Sequence, residues 1–518
     1  MKYPIGIQNF ESLVNEDYLY LDKTELIYKI VSEGRYYFLS RPRRFGKSML
    51  ISTFKAYFEG KQHLFEGLAI SQLETKWEKY PIFHLDFNSR EYKDEDSLTA
   101  ELNRHLESWE KIYGTEYHNR APEERFLHVI DNAFEKTGKP AVILIDEYDK
   151  PLLQTMNRPE LQEIYRSKLK AFYSVMKTMD GKIKFAFITG VTKFSKVSVF
   201  SDLNNLDDIS MWDIFATVCG ITEEEIRKVL DSEIGLMAEQ QHCSKEECYS
   251  KLKTYYDGYH FAPNTPGIYN PFSLLTALKR KTFGSYWFDT GTPTFLVDVM
   301  KASNYQLEKL NKEVAQPDLL GSMDSIKQTP IPLLFQSGYL TITGYDSVFD
   351  VYHLGLPNQE VSESFTKFLL PYYCPIQKGQ EAFFIVNFVK EIQDGKVEAF
   401  LKRLEALFAD GNYQIIGDAE KYFHNAVFII FKMLGFYVEV EHATSDGRID
   451  LLVKTKDNIY IMEFKIDENA ESALQLIEDK QYAKPFDNVN KAIYKIGINF
   501  STKTRRIDDW KISSPKIT

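Results

Sequence analysis

At 518 residues the chain is long enough for two or three domains. Hydrophobic residues make up 44% of it and aromatic residues 14%, which excludes global disorder. A net charge of -11 excludes a protein coated in basic surface, although a local groove for nucleic acid is compatible with it.

The four cysteines suit a reducing compartment rather than a disulfide scaffold. Cys243 and Cys248 are spaced more widely than the paired cysteines of zinc sites, so we expect free thiols there. The N-terminus lacks the apolar segment of an export signal, and no apolar run approaches the length of a membrane span. We therefore expect a cytoplasmic protein with no membrane partner.

The first chemical motif in the chain is Ser40-Arg41-Pro42-Arg43-Arg44-Phe45-Gly46-Lys47-Ser48, which follows the apolar run at 36–39 and precedes a helix-like segment. Strand, tight loop, Gly-Lys-Ser and helix together describe a phosphate-binding loop. Lys47 is predicted to reach the β- and γ-phosphates of ATP, and the Ser48 hydroxyl to bind Mg²⁺. The standard pattern has glycine where this chain has Arg41, which leaves a basic turn before a core helix as the alternative.

The backbone N–H groups at the start of the following helix are expected to face the phosphates, assisted by the helix dipole. The loop residues predicted to bind the nucleotide are Arg44, Phe45, Gly46, Lys47, Ser48 and Met49.

Short apolar runs at 80–87, 141–145 and 183–190 alternate with helical segments, which predicts an α/β fold with a parallel sheet covered by helices on both faces. The second of these runs ends in Asp146 and Glu147. We expect Asp146 to hold Mg²⁺ and Glu147 to polarise the attacking water, with an ordinary solvated strand end as the alternative. Because one strand–helix unit separates the two motifs, we expect them on adjacent strands.

Hydroxyl groups follow the end of the run at 183–190, and we expect them near the γ-phosphate: Thr189, Thr192 and Ser195. An arginine finger cannot be chosen from the sequence, where the candidates by charge are Arg43, Arg44 and Arg227.

The segments at 39–48, 144–151 and 189–195, with an upstream segment at 20–24, resemble the bacterial AAA-ATPase-like family. The resemblance covers roughly the first 300 residues and implies a P-loop ATPase fold of the AAA/STAND type. It also implies that arginine at position 41 is the usual variation of the family rather than a sign that the loop has lost its function.

The pattern of predicted helices and strands changes twice after the phosphate-binding region. We expect residues 1–219 to form the P-loop domain, 220–375 a mainly helical lid or winged-helix-like region, and 380–518 a third unit. In the third unit a long amphipathic helix around 418–434 precedes three strand-like segments and a second helix, which predicts a compact α/β core.

Two of these last strands carry Asp450, Glu463 and Lys465. If the hairpin turns around Lys456 and Asp457, position 450 lies opposite 463, and the two carboxylates become cross-strand neighbours able to share a divalent cation. Glu463 and Lys465 alternate along one strand and so face the same side, where Lys465 can position or activate a water. Metal-assisted phosphodiester hydrolysis requires this arrangement, and a surface hairpin with ordinary charges is the alternative.

The hairpin and its flanking helices resemble the PD-(D/E)XK nuclease superfamily, a restriction-endonuclease-like α/β fold that commonly follows the AAA-ATPase-like domain in this family. The resemblance implies that Asp450, Glu463 and Lys465 are the metal and catalytic residues and that Glu420, on the preceding helix, is the accessory acidic metal ligand. The candidates for polar positions facing the substrate are Gln475, Gln481 and Tyr482, with no choice between the glutamines.

The sequence thus predicts an ATP-binding and ATP-hydrolysing protein coupled to a nuclease-like domain that uses Mg²⁺ or Mn²⁺ and acts on DNA. A homo-oligomer formed through the ATPase domain and a role in mobile-element or phage defence follow by analogy alone. The alternative is a nucleotide-switched regulatory or scaffold protein whose C-terminal domain binds without cutting. A DNA-cleavage assay separates the two.

Overall fold

Wholly apolar runs alternate along the chain with segments of helical periodicity, and the computed structural model folds them into strands and helices in turn. It describes the 518-residue chain except residues 195–198, 201–202, 204, 289–293, 322, 324–325, 327, 375–380, 410–418, 436–438, 443–449, 488, 505 and 517–518. Contacts between Cα atoms divide the chain into two compact units, one of residues 1–303 with 311–361 and one of residues 304–310 with 362–518. Each unit is described in turn.

The first unit contains most of the secondary structure. Its strands are β1 (Tyr36–Ser40), β2 (Ile82–Asp86), β3 (Ala141–Asp146), β4 (Ile183–Gly190), β5 (Asp207–Asp208), β6 (Ile221–Thr222), β7 (Ile268–Tyr269), β8 (Glu313–Ala315), β9 (Thr341–Asp346) and β10 (Val351–Gly355). Its helices are α1 (Phe10–Asn15), α2 (Thr24–Glu33), α3 (Lys47–Phe58), α4 (Glu95–Tyr113), α5 (Pro122–Thr137), α6 (Lys150–Gln154), α7 (Pro159–Thr178), α8 (Glu223–Val229), α9 (Asp231–Gln240), α10 (Lys245–Tyr256), α11 (Pro271–Arg280), α12 (Thr294–Ala302), α13 (Pro317–Leu320) and α14 (Ile331–Gln336).

The central sheet of this unit is parallel, with the strand order β2-β3-β4-β1-β5. Every residue of β3 is buried, as its unbroken apolar sequence predicts for a strand covered on both faces. The predicted parallel sheet is therefore confirmed. Because the strands are parallel, the carboxyl ends of β1, β3 and β4 lie at one edge.

The expectation that the two nucleotide motifs lie on adjacent strands is wrong, because β4 lies between them. β4 pairs with β1 on one side, where Gly190 is opposite Ser40, and with β3 on the other, where Ile188 is opposite Ile145. Parallel strands are joined by long crossover connections, so a strand that comes later in the chain can fill a central position. The ends of β1 and β3 share an edge of the sheet with the end of β4 between them.

Helices dominate the first unit after β5. Apolar residues of α8 to α11, among them Ile226, Leu252 and Leu274, form a buried cluster, and Tyr3 and Ile5 from the N-terminal segment pack against it. A separate antiparallel sheet has the order β8-β10-β9. This part thus combines helices with one small sheet.

The second unit contains a five-stranded mixed sheet flanked by helices. Its elements are α15 (Gln359–Tyr373, which begins before residue 362), α16 (Glu381–Gln393), α17 (Val397–Ala409), α18 (Ala419–Leu434), β11 (Glu439–His442), β12 (Leu451–Lys454), β13 (Asn458–Ile466), α19 (Ala470–Asp479), β14 (Ala492–Ser501) and β15 (Arg506–Lys516). The sheet order is β11-β12-β13-β14-β15, with β13 and β14 parallel and the other pairs antiparallel. The sequence predicted β11 to β13 and both flanking helices, but not β14 and β15.

Helix α19 lies so close to β14 that only glycine fits at one position of the strand. A Cβ atom at Gly497 would stand 2.2 Å from the carbonyl oxygen of Ala470 and 2.6 Å from the backbone nitrogen of Leu474. The close approach holds α19 against the sheet beside the predicted carboxylate hairpin.

Across the part of the chain that the structure describes, no helix has both the length and the apolar character needed to cross a bilayer.

Candidate nucleotide and metal sites

The loop between β1 and α3 has the backbone of a phosphate-binding loop. Gly46 has a φ of 98°, in the left-handed region that favours glycine, and α3 begins at the next residue, Lys47. Arg44 has a φ of 67°, which is uncommon for a residue with a side chain and concentrates at functional loops. The N-terminus of a 12-residue helix therefore opens directly onto this loop, with the unpaired N–H groups that bind anions.

Lys47 is buried and spans the loop. Its Nζ donates to the carbonyl oxygens of Arg41 at 3.0 Å and Pro42 at 3.2 Å, and it lies 3.8 Å from Oε1 of Glu147. A phosphate oxygen is a stronger partner for an ammonium group than a backbone carbonyl is. Lys47 is therefore positioned to exchange these partners for a phosphate.

Arg41 stands where the standard motif has glycine, and its side chain is only 1% exposed. Its Nη1 donates to the carbonyl oxygens of Ser40 at 2.9 Å and Ser210 at 2.7 Å, and its Nη2 donates to that of Phe215 at 3.2 Å. The guanidinium group also lies 4.1 Å from the ring centre of Phe261. Arg41 therefore fastens the phosphate loop to segments that follow β4 in the chain.

We expect Arg41→Gly, which restores the standard motif, to destabilise the protein by about 2–4 kcal/mol, because three carbonyl oxygens lose the guanidinium group as a donor and a cavity remains. Thermal unfolding measures the effect. Arg41→Lys is the matched control: it keeps the charge without the planar fork, so we expect an intermediate loss. A melting temperature for Arg41→Gly at or above that of the unaltered chain would contradict this role.

Asp146 and Glu147 stand at the end of β3, beside the phosphate loop. Asp146 is buried, shares a side-chain hydrogen bond with Ser48, and accepts the N–H of Glu147 at 3.0 Å. Burial and the neighbouring Glu147 raise the pKa of Asp146 to about 7, while the Ser48 hydrogen bond and Lys47 act in the opposite direction. A divalent cation would offset this cost, and the carboxylate–hydroxyl pair offers the oxygen donors that Mg²⁺ prefers. The residues fit the predicted Mg²⁺ site.

A cavity of about 690 Å³ opens over the phosphate loop, within the usual range of ligand sites. The predicted nucleotide-binding residues 44–49 all line it, together with Glu147. Five of the six charged residues among the described lining are positive, namely Lys23, Arg43, Arg44, Lys47 and Lys150, and the sixth is Glu147. Apolar side chains also line the cavity, among them Ile5, Leu21, Val218 and Leu275.

The other predicted residues near the γ-phosphate have partners of their own. Thr189 is buried, and its hydroxyl donates to the carbonyl oxygen of Leu39 at 2.7 Å, which joins β4 to β1. The Thr192 hydroxyl donates to Asp149 at 2.7 Å. Ser195 lies outside the described residues. The roles of Thr189 and Thr192 at a bound nucleotide stay predictions.

The three arginines considered for an arginine finger separate into two groups. Arg43 and Arg44 line the cavity. Arg227 is paired with Glu223, where Nε and Oε1 are 2.8 Å apart, and it packs over the ring of Tyr249. The phosphate loop itself therefore supplies the arginines nearest to a nucleotide in this unit.

The second candidate site lies on the hairpin of β12 and β13. Leu451 pairs with Met462, so position 450 lies opposite 463, which confirms the predicted register. Asp450 accepts the N–H of Phe464 at 3.0 Å, and its side chain shares a hydrogen bond with that of Glu463. The two carboxyl groups are therefore in direct contact.

Glu463 is the buried member of this carboxylate pair. Its side chain is buried, and among the described residues its Oε2 has no hydrogen-bond partner. Burial and the adjacent Asp450 raise the pKa of Glu463 to about 7, and Lys465 acts in the opposite direction. A divalent cation would satisfy the orphaned oxygen and neutralise the pair, so the donors fit a metal.

Tyr482 lies near this pair, since burial, Glu463 and Asp450 together raise its pKa. The candidate glutamines are placed differently: Gln475 is exposed and donates to Asp479 at 2.8 Å, whereas Gln481 accepts from Lys484 at 3.4 Å. Of the three substrate-facing candidates, Tyr482 is thus the one whose electrostatics connect it to the carboxylates.

Glu420 lies in α18, but its side chain is outside the described set. Within the described residues no group of three or more His, Cys, Asp or Glu side chains is arranged to hold a metal. The carboxylate pair therefore supplies two ligands, and the accessory role of Glu420 stays a prediction.

Sequence reasoning missed one residue that belongs with the nucleotide site, Asp149. Its carboxylate is completely buried and accepts hydrogen bonds from Val191 and Thr192. The sequence carries a signal for it in the acidic run Asp146-Glu147-Tyr148-Asp149. Its partners come from another strand end, about 40 positions later in the chain, and single-sequence patterns do not reveal such pairings.

Comparisons with known proteins agree with an ATPase domain followed by a nuclease-like domain. Residues 4–200 match the AAA-ATPase-like family, described as a predicted AAA-ATPase, and residues 418–510 match a PD-(D/E)XK nuclease superfamily domain. A protein of Azotobacter chroococcum mcd 1, described as an uncharacterized protein in the vnfD 5' region, is 34% identical over 531 residues, covering 99% of each chain.

Among solved structures, the ORC2 protein of Aeropyrum pernix (ADPNP-ADP complexes) matches 69% of this chain and 90% of its own at 10% identity. The TM-score is 0.23, and no functional inference rests on it. The full-length relative and the two matched domains decide the assignment. The chain belongs to the AAA-ATPase-like family and carries a predicted AAA-ATPase domain followed by a PD-(D/E)XK nuclease superfamily domain.

Proposed function

We propose that the chain binds and hydrolyses ATP with Mg²⁺, and that nucleotide binding controls a metal-dependent nuclease that acts on DNA. The ATP part is carried by one observation: Ser48 is hydrogen-bonded to Asp146 while Lys47 lies 3.8 Å from Glu147. A phosphate-binding lysine, two metal donors and a carboxylate base are thus together at one edge of the sheet.

Each of these residues has a separate task in hydrolysis. Lys47 and the N–H groups at the start of α3 would hold the β- and γ-phosphates, and Ser48 and Asp146 would hold Mg²⁺. The cation would neutralise charge on the phosphates. Glu147 would orient the attacking water and accept its proton.

The lining of the cavity supports a nucleoside triphosphate rather than free phosphate. It combines positive side chains, Lys47 among them, with apolar ones that include Ile5, Val218 and Leu275. A nucleobase buries its faces against apolar side chains, while the triphosphate needs positive ones.

The nuclease part is carried by the contact between Asp450 and Glu463 and by the orphaned Oε2 of Glu463. These two carboxylates would bind Mg²⁺ or Mn²⁺, with Glu420 as an accessory ligand. Lys465, two positions after Glu463 on the same face of β13, would stand beside the scissile phosphate and position the attacking water. DNA as substrate, a homo-oligomer and a role in defence against mobile elements or phage belong to this proposal by family analogy.

The alternative is a nucleotide-switched scaffold that does not cut, in which the nuclease fold would serve as a binding module.

Two variants of the purified chain test the proposal. We expect Lys47→Ala to weaken ATP binding at least about 100-fold by calorimetry, because it removes the charge that meets the phosphates. Lys29→Ala, at a partly exposed position of α2 where the side chain pairs with Glu33, is the control and should bind ATP normally. We expect Asp450→Asn to keep ATP binding and to lose DNA cleavage in Mg²⁺ or Mn²⁺.

Persistent ATP binding by Lys47→Ala would refute the phosphate-loop assignment. Cleavage by Asp450→Asn equal to that of the unaltered chain would refute the nuclease site. Single-stranded, duplex and branched DNA that all stay intact with the unaltered chain would favour the switch.

A further inference from the structure

The carboxylate of Asp149 connects the end of β3 to the segment that follows β4. It is completely buried, and it accepts the N–H of Val191 at 3.1 Å, the N–H of Thr192 at 2.6 Å and the Thr192 hydroxyl at 2.7 Å. These donors lie more than 40 positions away in the chain. Asp149 therefore joins two loops at the edge of the sheet where the nucleotide motifs stand.

Tyr148 reinforces this connection from the neighbouring position. Its backbone N–H donates to the carbonyl oxygen of Thr189 at 3.2 Å, and its hydroxyl accepts the N–H of Phe194 at 3.0 Å. Gly190 leaves room for the carboxylate, because a Cβ atom there would lie 2.3 Å from Oδ1 of Asp149. The backbone of 189–194 is thus held at both ends.

The same segment is bonded to the phosphate loop. The N–H of Arg41 donates to the carbonyl oxygen of Gly190 at 3.2 Å, and the Thr189 hydroxyl donates to that of Leu39 at 2.7 Å. Since β4 lies between β1 and β3, these two strands form no hydrogen bonds with each other. The placement of Glu147 relative to the phosphate loop therefore depends on the end of β4.

A purely structural connection would not need a charged group. Burying a carboxylate is costly unless strong hydrogen bonds compensate for lost water, and a buried apolar contact would join the loops at lower cost. Burial and the nearby Glu147 raise the pKa of Asp149 to about 6, while the hydrogen bonds from Thr192 act in the opposite direction. The carboxyl group stands near Glu147, at a point where orientation matters.

We propose that Asp149 and Thr192 are positioning residues for ATP hydrolysis, which hold Glu147 and the phosphate loop in register through the end of β4. The proposal rests on the ATPase function proposed above. Neither side chain needs to touch the nucleotide. Displacement of a reacting group by about 1 Å lowers rates about 100-fold, so loss of this connection should affect turnover more than binding.

Thr192 offers a matched pair of variants for the test. Thr192→Val keeps the shape and loses the hydroxyl, whereas Thr192→Ser keeps the hydroxyl. We expect Thr192→Val to lower kcat for ATP about tenfold while the Kd of a non-hydrolysable ATP analogue stays within about twofold. Thr192→Ser should retain at least half of the kcat of the unaltered chain.

Asp149→Asn is the second variant, because its amide opposes the N–H donors of 191 and 192 with a donor of its own. We expect about a 100-fold loss of kcat, again with the analogue still bound, and the bound analogue shows that the variant has folded. Unchanged turnover in Thr192→Val, an equal loss in Thr192→Ser, or parallel losses of turnover and affinity would overturn the positioning role alone. An unaltered chain that binds ATP without turnover would overturn the ATPase proposal, and the positioning role with it.

Discussion

Glu147→Gln is expected to keep ATP bound and to lower its hydrolysis about 10²–10³-fold, the usual contribution of a general base. The residue follows Asp146 at the end of β3 with a φ of 52°, an uncommon backbone conformation for a residue with a side chain. Its side chain is 22% exposed and lines the cavity over the phosphate loop. It therefore reaches both Lys47 and the space that a nucleotide would occupy.

Glutamine keeps the shape of glutamate but cannot accept the proton of the attacking water. The phosphate-binding groups Lys47 and Ser48 are unchanged in this variant, so binding should persist, and the removal of a negative charge 3.8 Å from Nζ of Lys47 favours it. Calorimetry with ATP and a phosphate-release assay measure the two properties separately. The combination of retained binding and lost turnover distinguishes a base from a phosphate ligand.

Glu135→Gln, on the exposed face of α5, makes the same change of charge away from the site and should leave turnover unaffected. Turnover by Glu147→Gln within about threefold of the unaltered chain would exclude Glu147 as the base. Loss of ATP binding in this variant would instead indicate a structural task for the ion pair with Lys47.

Local patterns in the sequence predicted the elements of both sites but not their neighbours. The register of the β12–β13 hairpin followed from the position of its turn alone, because each residue on one side of a hairpin fixes its partner on the other. The strand order around the phosphate loop did not follow, since parallel strands are joined by long connections whose return position is a tertiary choice.

The partners of Arg41 likewise could not be predicted from the local sequence. Its departure from the standard glycine was visible in the sequence, but Ser210 and Phe215, whose carbonyl oxygens it binds, lie about 170 positions away. The strand β14 itself was predictable from the local sequence, because Ile496, Ile498 and Phe500 alternate with other residues along it and are buried. Such alternation was readable, and only its pairing beside β13 required the folded chain.

The phosphate loop also contacts other segments of the first unit. Besides Arg41, the ring of Phe45 packs against Tyr259 and Phe261, and the carbonyl oxygen of Arg43 accepts the indole N–H of Trp287 at 3.0 Å. The segments on either side of α11 thus contact the loop. A shift of this loop on nucleotide binding would reach those segments through these contacts.

The second large effect is expected at the carboxylate pair of the second unit. Glu463→Gln should lower DNA cleavage at least about 10³-fold, because it removes one of two metal ligands and with it the bound cation. The same change should raise the melting temperature of the metal-free protein at pH 8. Glutamine is neutral, and the buried contact with Asp450 then joins a carboxylate to an amide donor instead of to a second carboxylate.

The pH dependence of stability follows from the raised pKa. Glu463 titrates near 7 in the folded metal-free chain and near 4.5 when unfolded, so the folded state holds the proton more strongly. Protonation of Glu463 therefore adds to the free energy of unfolding. This contribution is complete below about pH 4.5 and is lost as the pH rises through about 7. The gain in melting temperature from Glu463→Gln should therefore be small at pH 5 and should increase to a few degrees at pH 8.

A bound divalent cation is expected to reverse the relative stability of the unaltered chain and of Glu463→Gln. Mn²⁺ added at pH 8 should stabilise the unaltered chain, because it binds the folded pair, and should have little effect on Glu463→Gln. Glu471→Gln, an exposed change in the first turn of α19, is the control and should respond to Mn²⁺ as the unaltered chain does. Equal stabilisation of all three proteins by Mn²⁺ would place the metal elsewhere, whereas cleavage that survives in Glu463→Gln would remove this carboxylate from the catalytic site. A buried carboxylate in contact with a second carboxylate, with one oxygen that has no hydrogen-bond partner among the described residues, is typical of a metal-binding site rather than of an ordinary surface hairpin.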